Sequence, residues 1–390
     1  MVDRDNRPIR YGMVGGGQGA FIGGVHRIAA RIDGQFTLVA GALSSDPERA
    51  RASANELGIA EDRSYASFAE MAEVESALAD GIEAVSIVTP NHLHFPAAKA
   101  FLEAGIHVIC DKPVTSNLAD AKALAEIAAK SGKLFVLTHN YTGYPMVRQA
   151  RQMVADGLLG DIRVVQAEFP QDWLTEKVED TGAKGAVWRT DPAQSGVGGS
   201  TGDIGTHAFH LARFVTGLEL DALAADLDAF VPGRVVDDNA NVMLRFKPKN
   251  GVAAKGMLWA SQVAPGNENG LRIRVYGTKG GIEWFQADPN YLWYTPFGEP
   301  KRLLTRNGAG ALPASTRVSR IPAGHPEGYL EGFATIYAEA ARAIKAARHG
   351  GQVPADVVYP TIADGVEGMA FVEACVRSSQ KDGAWTKLDI

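Results

Sequence analysis

The chain has 390 residues, 46% of them hydrophobic, enough to bury a core and to suggest two domains. Its 39 basic and 45 acidic residues leave a net charge of −6 with no block of like charge, which argues against a nucleic-acid or anionic-membrane surface. Two cysteines exclude a disulfide framework, no apolar run approaches the ~18 residues of a membrane span, and the opening MVDRDNRPIR lacks the apolar core of a secretory signal; the chain reads as reduced, soluble and cytoplasmic.

The first third alternates short apolar strands with helical patterns. IRYGMVG, QFTLVAGAL, EAVSIVTP, IHVICDKP and LFVLTHN are strands rich in β-branched residues. Between them, DPERARASANELG starts with Asp46 as cap and Pro47 in the first turn and stops at Gly58. HFPAAKAFLEAG and NLADAKALAEIAAKSG likewise stop at Gly105 and Gly132. This rhythm predicts a doubly wound parallel sheet, a Rossmann domain over residues 1–140.

The stretch GGGQGAFIGG follows the first strand and opens the first helix. A pyrophosphate can rest there against free N–H groups, with Gly15 permitting the turn and Gly17 allowing close approach. Gln18, Ala20, Phe21 and Ile22 complete the expected cofactor contacts. The third glycine position of the motif is ambiguous among Gly19, Ala20 and Gly23. Ser44 stands where an NAD enzyme carries an acid, so the cofactor is NAD(H) or NADP(H), with Ser45 and Arg49 available to a 2′-phosphate; equally, Ser44 and Ser45 read as turn residues leading a helix. At the strand end TPNHLH, the residues Thr89, Pro90, Asn91 and His94 are expected on the nicotinamide side. At CDKPVT, Lys112 before a proline is placed to bind a substrate hydroxyl.

The glycine turn, TPNHLH and CDKPVT together resemble the glucose–fructose oxidoreductase / inositol dehydrogenase / MocA (Gfo/Idh/MocA) family. That family's E-K-P tripeptide is matched by Asp111, Lys112 and Pro113, and its usual histidine after the glycine turn appears about three residues late, as His26. The resemblance spans nearly the whole chain. It implies a cofactor role for Asp111 and Lys112, and an open second-domain sheet through which a homodimer or homotetramer forms.

The second half, residues 141–390, starts with a helix, GYPMVRQARQMVADG, and continues in strands of period two such as RVVQAEF, NVMLRF and GMLWASQ. That pattern predicts an α+β domain with a mostly antiparallel sheet, one face of it wetter. In STGDIGTHAFHLARF, Asp203 and His207 are four apart and share a helix face, with His210 near it. A metal reading of these three lacks a further ligand. The resemblance implies instead that Asp203 and His207 act with Lys112. His207 is then the general base for a secondary alcohol, Lys112 stabilises the developing oxyanion, and Asp203 holds substrate hydroxyls or orients His207. Loops supply further polar and aromatic groups for a sugar or cyclitol: Asn140, Tyr141, Asp172, Trp173, Trp188, Arg189 and His325. Two alternatives use the same residues differently: a glycoside hydrolase that retains its cofactor, and a dinucleotide-binding sensor without turnover.

Overall fold

The computed structural model describes residues 7–390; the first six residues of the expected 1–140 domain lie outside them. Five strands form a parallel sheet in the order β2-β1-β3-β4-β5: β1 (Ile9–Gly15), β2 (Phe36–Ala42), β3 (Ala84–Val88), β4 (His107–Cys110) and β5 (Phe135–Leu137). Every residue of β3 is buried, as a central strand covered on both faces must be. Strand order reverses between β1 and β3, so the loops after those two strands flank the crevice where such sheets bind ligands.

The chain divides into two compact units, and the first is not contiguous. It comprises residues up to Thr115, then Ala119–Asn140 and Tyr329–Val366. The helix Tyr329–Arg348, expected within residues 141–390, therefore belongs to the dinucleotide unit. Its Phe333, Ile336, Tyr337, Ala340 and Ile344 are buried in one core with Ile9, Tyr11 and Met13 of β1. Burial of each large apolar side chain contributes about 1.5–3 kcal/mol, enough to override position in the chain.

The second unit comprises Ser116–Leu118, Tyr141–Gly328 and Glu367–Ile390. Its eight strands are β6 (Ile162–Pro170), β7 (Leu220–Asp228), β8 (Asn239–Phe246), β9 (Lys255–Ser261), β10 (Arg272–Gly277), β11 (Gly280–Phe285), β12 (Tyr291–Pro296) and β13 (Arg302–Thr305). They pair in the order β13-β12-β11-β10-β6-β9-β8-β7, all antiparallel except β6 with β9. Buried and exposed residues alternate along β8, with Val242 and Leu244 inward and Met243 and Arg245 outward. The outward face also carries Val164, Met257 and Trp293, each substantially exposed. No described helix is long and apolar enough to cross a membrane.

Candidate active site

The glycine turn is built by the backbone. Gly15, Gly16 and Gly19 all have positive φ, 76°, 73° and 78°, where a side chain is strained. A Cβ on Gly17 would lie 2.8 Å from both the Leu43 carbonyl oxygen and Ser53 Oγ, so glycine there lets the turn pack against the end of β2 and the next helix. This is a different reason from the close phosphate approach expected. The ambiguous third glycine is Gly23: its Cβ would lie 2.4 Å from Gly16 Cα, so it seats the first helix, Phe21–Ile32, on the turn. The helix start has no side-chain cap, leaving its first N–H groups for an anion.

A cleft of about 350 Å³ beside this turn is lined by Gly17, Gln18, Ala20 and Phe21 and also by Arg27, Ser53 and Glu56. Sequence reasoning missed the last three. Arg27 Nη1 donates to the Gly16 carbonyl at 2.6 Å and so fixes the turn; its one signal was a cation nearly two turns into the helix. Phe21 is 76% exposed, an unpaired apolar surface at the mouth of a nucleotide-sized cradle. Ser44, Ser45 and Arg49 do not line this cleft. Ser44 Oγ accepts from Asp46 N at 3.1 Å, and Asp46 Oδ1 accepts from Arg49 N at 2.9 Å, which is helix-leading turn chemistry. The cradle fits a dinucleotide, held by the glycine turn and steadied by Arg27.

The ends of β3 and β4 carry the next group. Asn91 and His94 are buried, with Thr89 and Pro90 partly so. Both His94 ring nitrogens face backbone carbonyls, Nδ1 to Pro113 at 2.7 Å and Nε2 to Thr89 at 2.8 Å, so the ring is engaged within the unit. Asp111 is likewise turned inward. Its Oδ1 accepts from Thr138 Oγ1 at 2.8 Å and lies 3.7 Å from His26 Nε2. Burial alone would raise the Asp111 pKa; the nearby His26 ring, with Lys112 and His94, outweighs it and holds the carboxyl down at about 2. His26 in turn meets Tyr337 OH at 2.9 Å and Ser86 Oγ at 3.1 Å through Nδ1. Lys112 follows Asp111 and is partly exposed; Asn140, the last residue of this unit's second segment, is buried.

In the second unit, Asp203 and His207 stand on one continuous helical run, as their spacing predicts, but its first turns, Thr201–Gly205, are wound as a π-helix before the α-helix Thr206–Thr216. Such wide turns concentrate at functional sites. Asp237 holds the start of this run. Its buried carboxylate accepts from Gly199 N, Ser200 Oγ, and Thr201 N and Oγ1, all at 2.6–2.7 Å. Gly199 is required there, since a Cβ would sit 2.0 Å from the Asp237 carbonyl oxygen.

The Asp203 carboxylate is fixed from two sides: Oδ2 accepts from Arg189 Nε at 3.1 Å and from Gln262 Nε2 at 2.9 Å. The Arg189 guanidinium lies over Trp188 at 4.3 Å and Trp173 at 5.8 Å. The His207 ring meets the Tyr141 ring edge-on at 4.8 Å, and Phe169 lies 6.1 Å away. Tyr141 OH accepts from Asn269 Nδ2, Asn269 Oδ1 from Gln171 Nε2, and Gln171 Oε1 from Trp173 Nε1, at 3.3, 2.8 and 3.0 Å. Thus Tyr141, Trp173, Trp188, Arg189, Asp203 and His207 form one connected group. Gln262 and Asn269 join it unforeseen, because a polar residue just past a strand looks like any loop residue.

Three expected residues stand apart from these bonds. Asp172 Oδ2 accepts from Gly266 N at 3.1 Å and serves a turn. His210 is buried beside Phe214, ring centroids 6.1 Å apart. His325 is exposed, its carbonyl held by Arg306. No group of three metal-ligating side chains occurs among the described residues.

A glycine turn at the switch point of a 2-1-3-4-5 parallel sheet marks a nucleotide-binding doubly wound fold, and residues 9–139 match the model of the oxidoreductase family with an NAD-binding Rossmann fold. Residues 147–283 match the GFO/IDH/MocA C-terminal domain, and the chain belongs to the Gfo/Idh/MocA family of oxidoreductases. It is 36% identical to the uncharacterized oxidoreductase YfiI of Bacillus subtilis strain 168, covering 98% of this chain and 97% of that one. A crystal structure of an oxidoreductase from Sinorhizobium meliloti is 65% identical, with TM-score 0.90 over 98% of this chain and 100% of that one. An inositol dehydrogenase homolog from Azotobacter vinelandii, solved with NADH and myo-inositol, is 38% identical, with TM-score 0.91 over 98% of each chain.

Proposed function

We propose that this oxidoreductase transfers a hydride between NAD(P) and a secondary hydroxyl of a neutral sugar or cyclitol. The observation that carries the reading is the Asp203 carboxylate, clamped by Arg189 and Gln262 on the same helical run as His207. A clamped carboxylate with a neighbouring imidazole suits a substrate that offers several hydroxyls and must lose a proton from one. The Arg189 charge is paired with Asp203 and stacked on Trp188, so it favours a neutral polyol over an acidic sugar. The Azotobacter relative, crystallised with myo-inositol, points to the same substrate class.

The bound dinucleotide supplies the hydride acceptor at its nicotinamide. His207 takes the hydroxyl proton as the carbon–hydrogen bond breaks. Lys112 donates a hydrogen bond to that oxygen and stabilises the negative charge growing on it. Asp203 accepts hydrogen bonds from adjacent hydroxyls, and Tyr141 and Phe169 shield the imidazole from bulk water. Trp173 and Trp188 offer aromatic faces to the apolar side of a sugar ring. The exposed apolar face of the second-unit sheet, with Met243, Met257 and Trp293, is the surface through which a homodimer or homotetramer would form.

The test is a panel of neutral polyols, acidic sugars and glycosides with NAD+ and NADP+, read at the nicotinamide absorbance band. Net reduction by a neutral polyol is expected. Glycoside cleavage without net reduction, or binding of the dinucleotide with no turnover on any substrate, overturns the reading.

A further inference from the structure

Arg234 lies in the loop between β7 and β8, outside the connected group described above, yet its guanidinium is wholly buried. Each of its nitrogens is engaged. Nε and Nη2 donate to the two Glu179 carboxylate oxygens at 3.1 and 2.9 Å, and Nη2 also faces the Glu176 carbonyl at 3.4 Å. Nη1 donates to the Leu174 carbonyl at 3.0 Å and to Asp238 Oδ2 at 3.1 Å. Asp238 is buried too, and its carboxylate accepts from Phe230 N and Val231 N at 2.9 and 3.0 Å. A buried ion pair contributes little net stability, because desolvation offsets the attraction. What such a pair does supply is fixed direction, and the directions here converge.

The two acceptors of Nη1 belong to the two residues that hold the backbone of Gln262. Gln262 N donates to the Asp238 carbonyl at 2.8 Å, and the Gln262 carbonyl accepts from Leu174 N at 3.1 Å. Gln262 Nε2 then reaches Asp203 Oδ2 at 2.9 Å. Arg234 therefore closes a clasp around Gln262 and sets where its amide meets Asp203. The preceding residue fixes the other side of that contact: the Asp237 carboxylate holds Gly199, Ser200 and Thr201, where the run bearing Asp203 begins. Two consecutive acids thus place both members of the Asp203–Gln262 bond. Leu174 also directly follows Trp173, so the same clasp anchors that aromatic face.

We propose that Arg234 is a positioning residue for the substrate site, acting through Leu174 and Asp238 on Gln262 and so on Asp203. The kinetic consequence rests on the substrate role proposed for Asp203; the clasp itself does not.

The clasp is read without substrate, by residue-level hydrogen exchange of the full chain. Arg234→Lys keeps the positive charge between Asp238 and Glu179 but loses the planar fork. The Leu174 and Gln262 amides should exchange about tenfold faster, with those of β11, across the same sheet, unchanged. Unchanged rates at Leu174 and Gln262, or equal acceleration along β11, overturns the clasp, whether or not any polyol is turned over. The positioning role is read from kinetics. Substrate KM should rise about fivefold to tenfold, the equivalent of one charge-assisted hydrogen bond, with dinucleotide KM within about twofold of wild type. In a Gln262→Ala background the same substitution should raise substrate KM by less than about twofold. An unmoved substrate KM in Arg234→Lys, or an equal rise in both backgrounds, overturns the positioning role. Should Arg234→Lys not fold, Glu179→Gln removes only the outer ion pair, and the same shifts are expected at smaller size; their absence counts equally against the proposal.

Discussion

The two units build their parts of the chemistry from different materials. The first makes its cradle from backbone: three glycines at positive φ, a fourth packed against a turn, and an uncapped helix start. The second makes its group from side chains gathered across the chain: Tyr141, Arg189, Asp203, His207, Gln262 and Asn269. A backbone cradle accepts any dinucleotide of the right shape, because every residue but proline has an N–H. A side-chain cluster selects, because each hydroxyl of the substrate must find its own partner. Damage to the first unit should therefore appear in cofactor affinity, and damage to the second in kcat and in substrate KM.

The largest departure from a clean division is Lys112, which sits in the first unit yet is assigned to the chemical step. Lys112→Ala should lower kcat by about 10²–10³-fold, the range of lost oxyanion stabilisation, with dinucleotide Kd nearly unchanged. Combined with His207→Ala it should fall short of the product of the two losses, since both are proposed to act on one oxygen. Full multiplicativity in steady-state kinetics would mean that they serve different steps.

The next effect sharpens the comparison from the other side. Gly17→Ala places a methyl against Leu43 O and Ser53 Oγ, so the turn must shift. Dinucleotide Kd should weaken about tenfold, or ~1.4 kcal/mol, measured by nicotinamide fluorescence, with kcat at saturating cofactor close to wild type. A loss confined to kcat would break the division. Smaller again, Arg189→Ala releases Asp203 from one of its two clamps and unstacks Trp188. Substrate KM should rise about fivefold to tenfold, the equivalent of one charge-assisted hydrogen bond, with the dinucleotide KM fixed. A rise in both constants would place Arg189 outside the substrate group.

The last effect lies outside both groups and concerns stability. His107 on β4 accepts from Leu134 N at 3.0 Å through Nδ1, and burial, with Lys133 adding and Glu83 opposing, pulls its pKa down to about 4. The folded ring stays neutral while the unfolded chain takes up a proton first. Stability should therefore fall as pH drops from ~6.5 toward 4, by up to ~3 kcal/mol, and level off below. Urea titrations across that window should show the slope in wild type and a flatter one in His107→Gln, which keeps an acceptor for Leu134. An unchanged slope in the variant would assign the acid sensitivity to other groups.

The same contrast governs what the sequence makes legible. Backbone-built features announce themselves locally: the glycine turn, the caps at Asp46 and Gly58, and the strand–helix rhythm all sit in short windows. The Asp203–His207 pair was legible for the same reason, being four residues apart, though nothing local distinguished a π-turn from an α-turn. The Asp203 clamp was not. Gln262 reaches it because β9 pairs with β6 and β8, placing the residue after Ser261 beside the strand ends of both. Chain order places helix Tyr329–Arg348 in the second domain, yet its apolar face is buried against the helix Phe21–Ile32 in the core of the first unit; amphipathicity shows that a face is buried, not against what. At Ser44 the sequence allowed both a ligand contact and a helix-leading turn, and the structure shows the turn bond, Asp46 N donating to the hydroxyl.

The central claim is that His207 in the second unit carries the proton transfer, independently of the cofactor cradle. The direct measurement is the pH dependence of kcat/KM for polyol oxidation by wild type and His207→Ala, with dinucleotide Kd measured on the same samples. Wild type should show a rising limb at low pH from a single ionisation. In His207→Ala, kcat should fall by about 10²–10⁴-fold, the limb should vanish, and the dinucleotide Kd should stay within about twofold. A variant that keeps the wild-type kcat and the same limb would contradict the claim and place the base elsewhere.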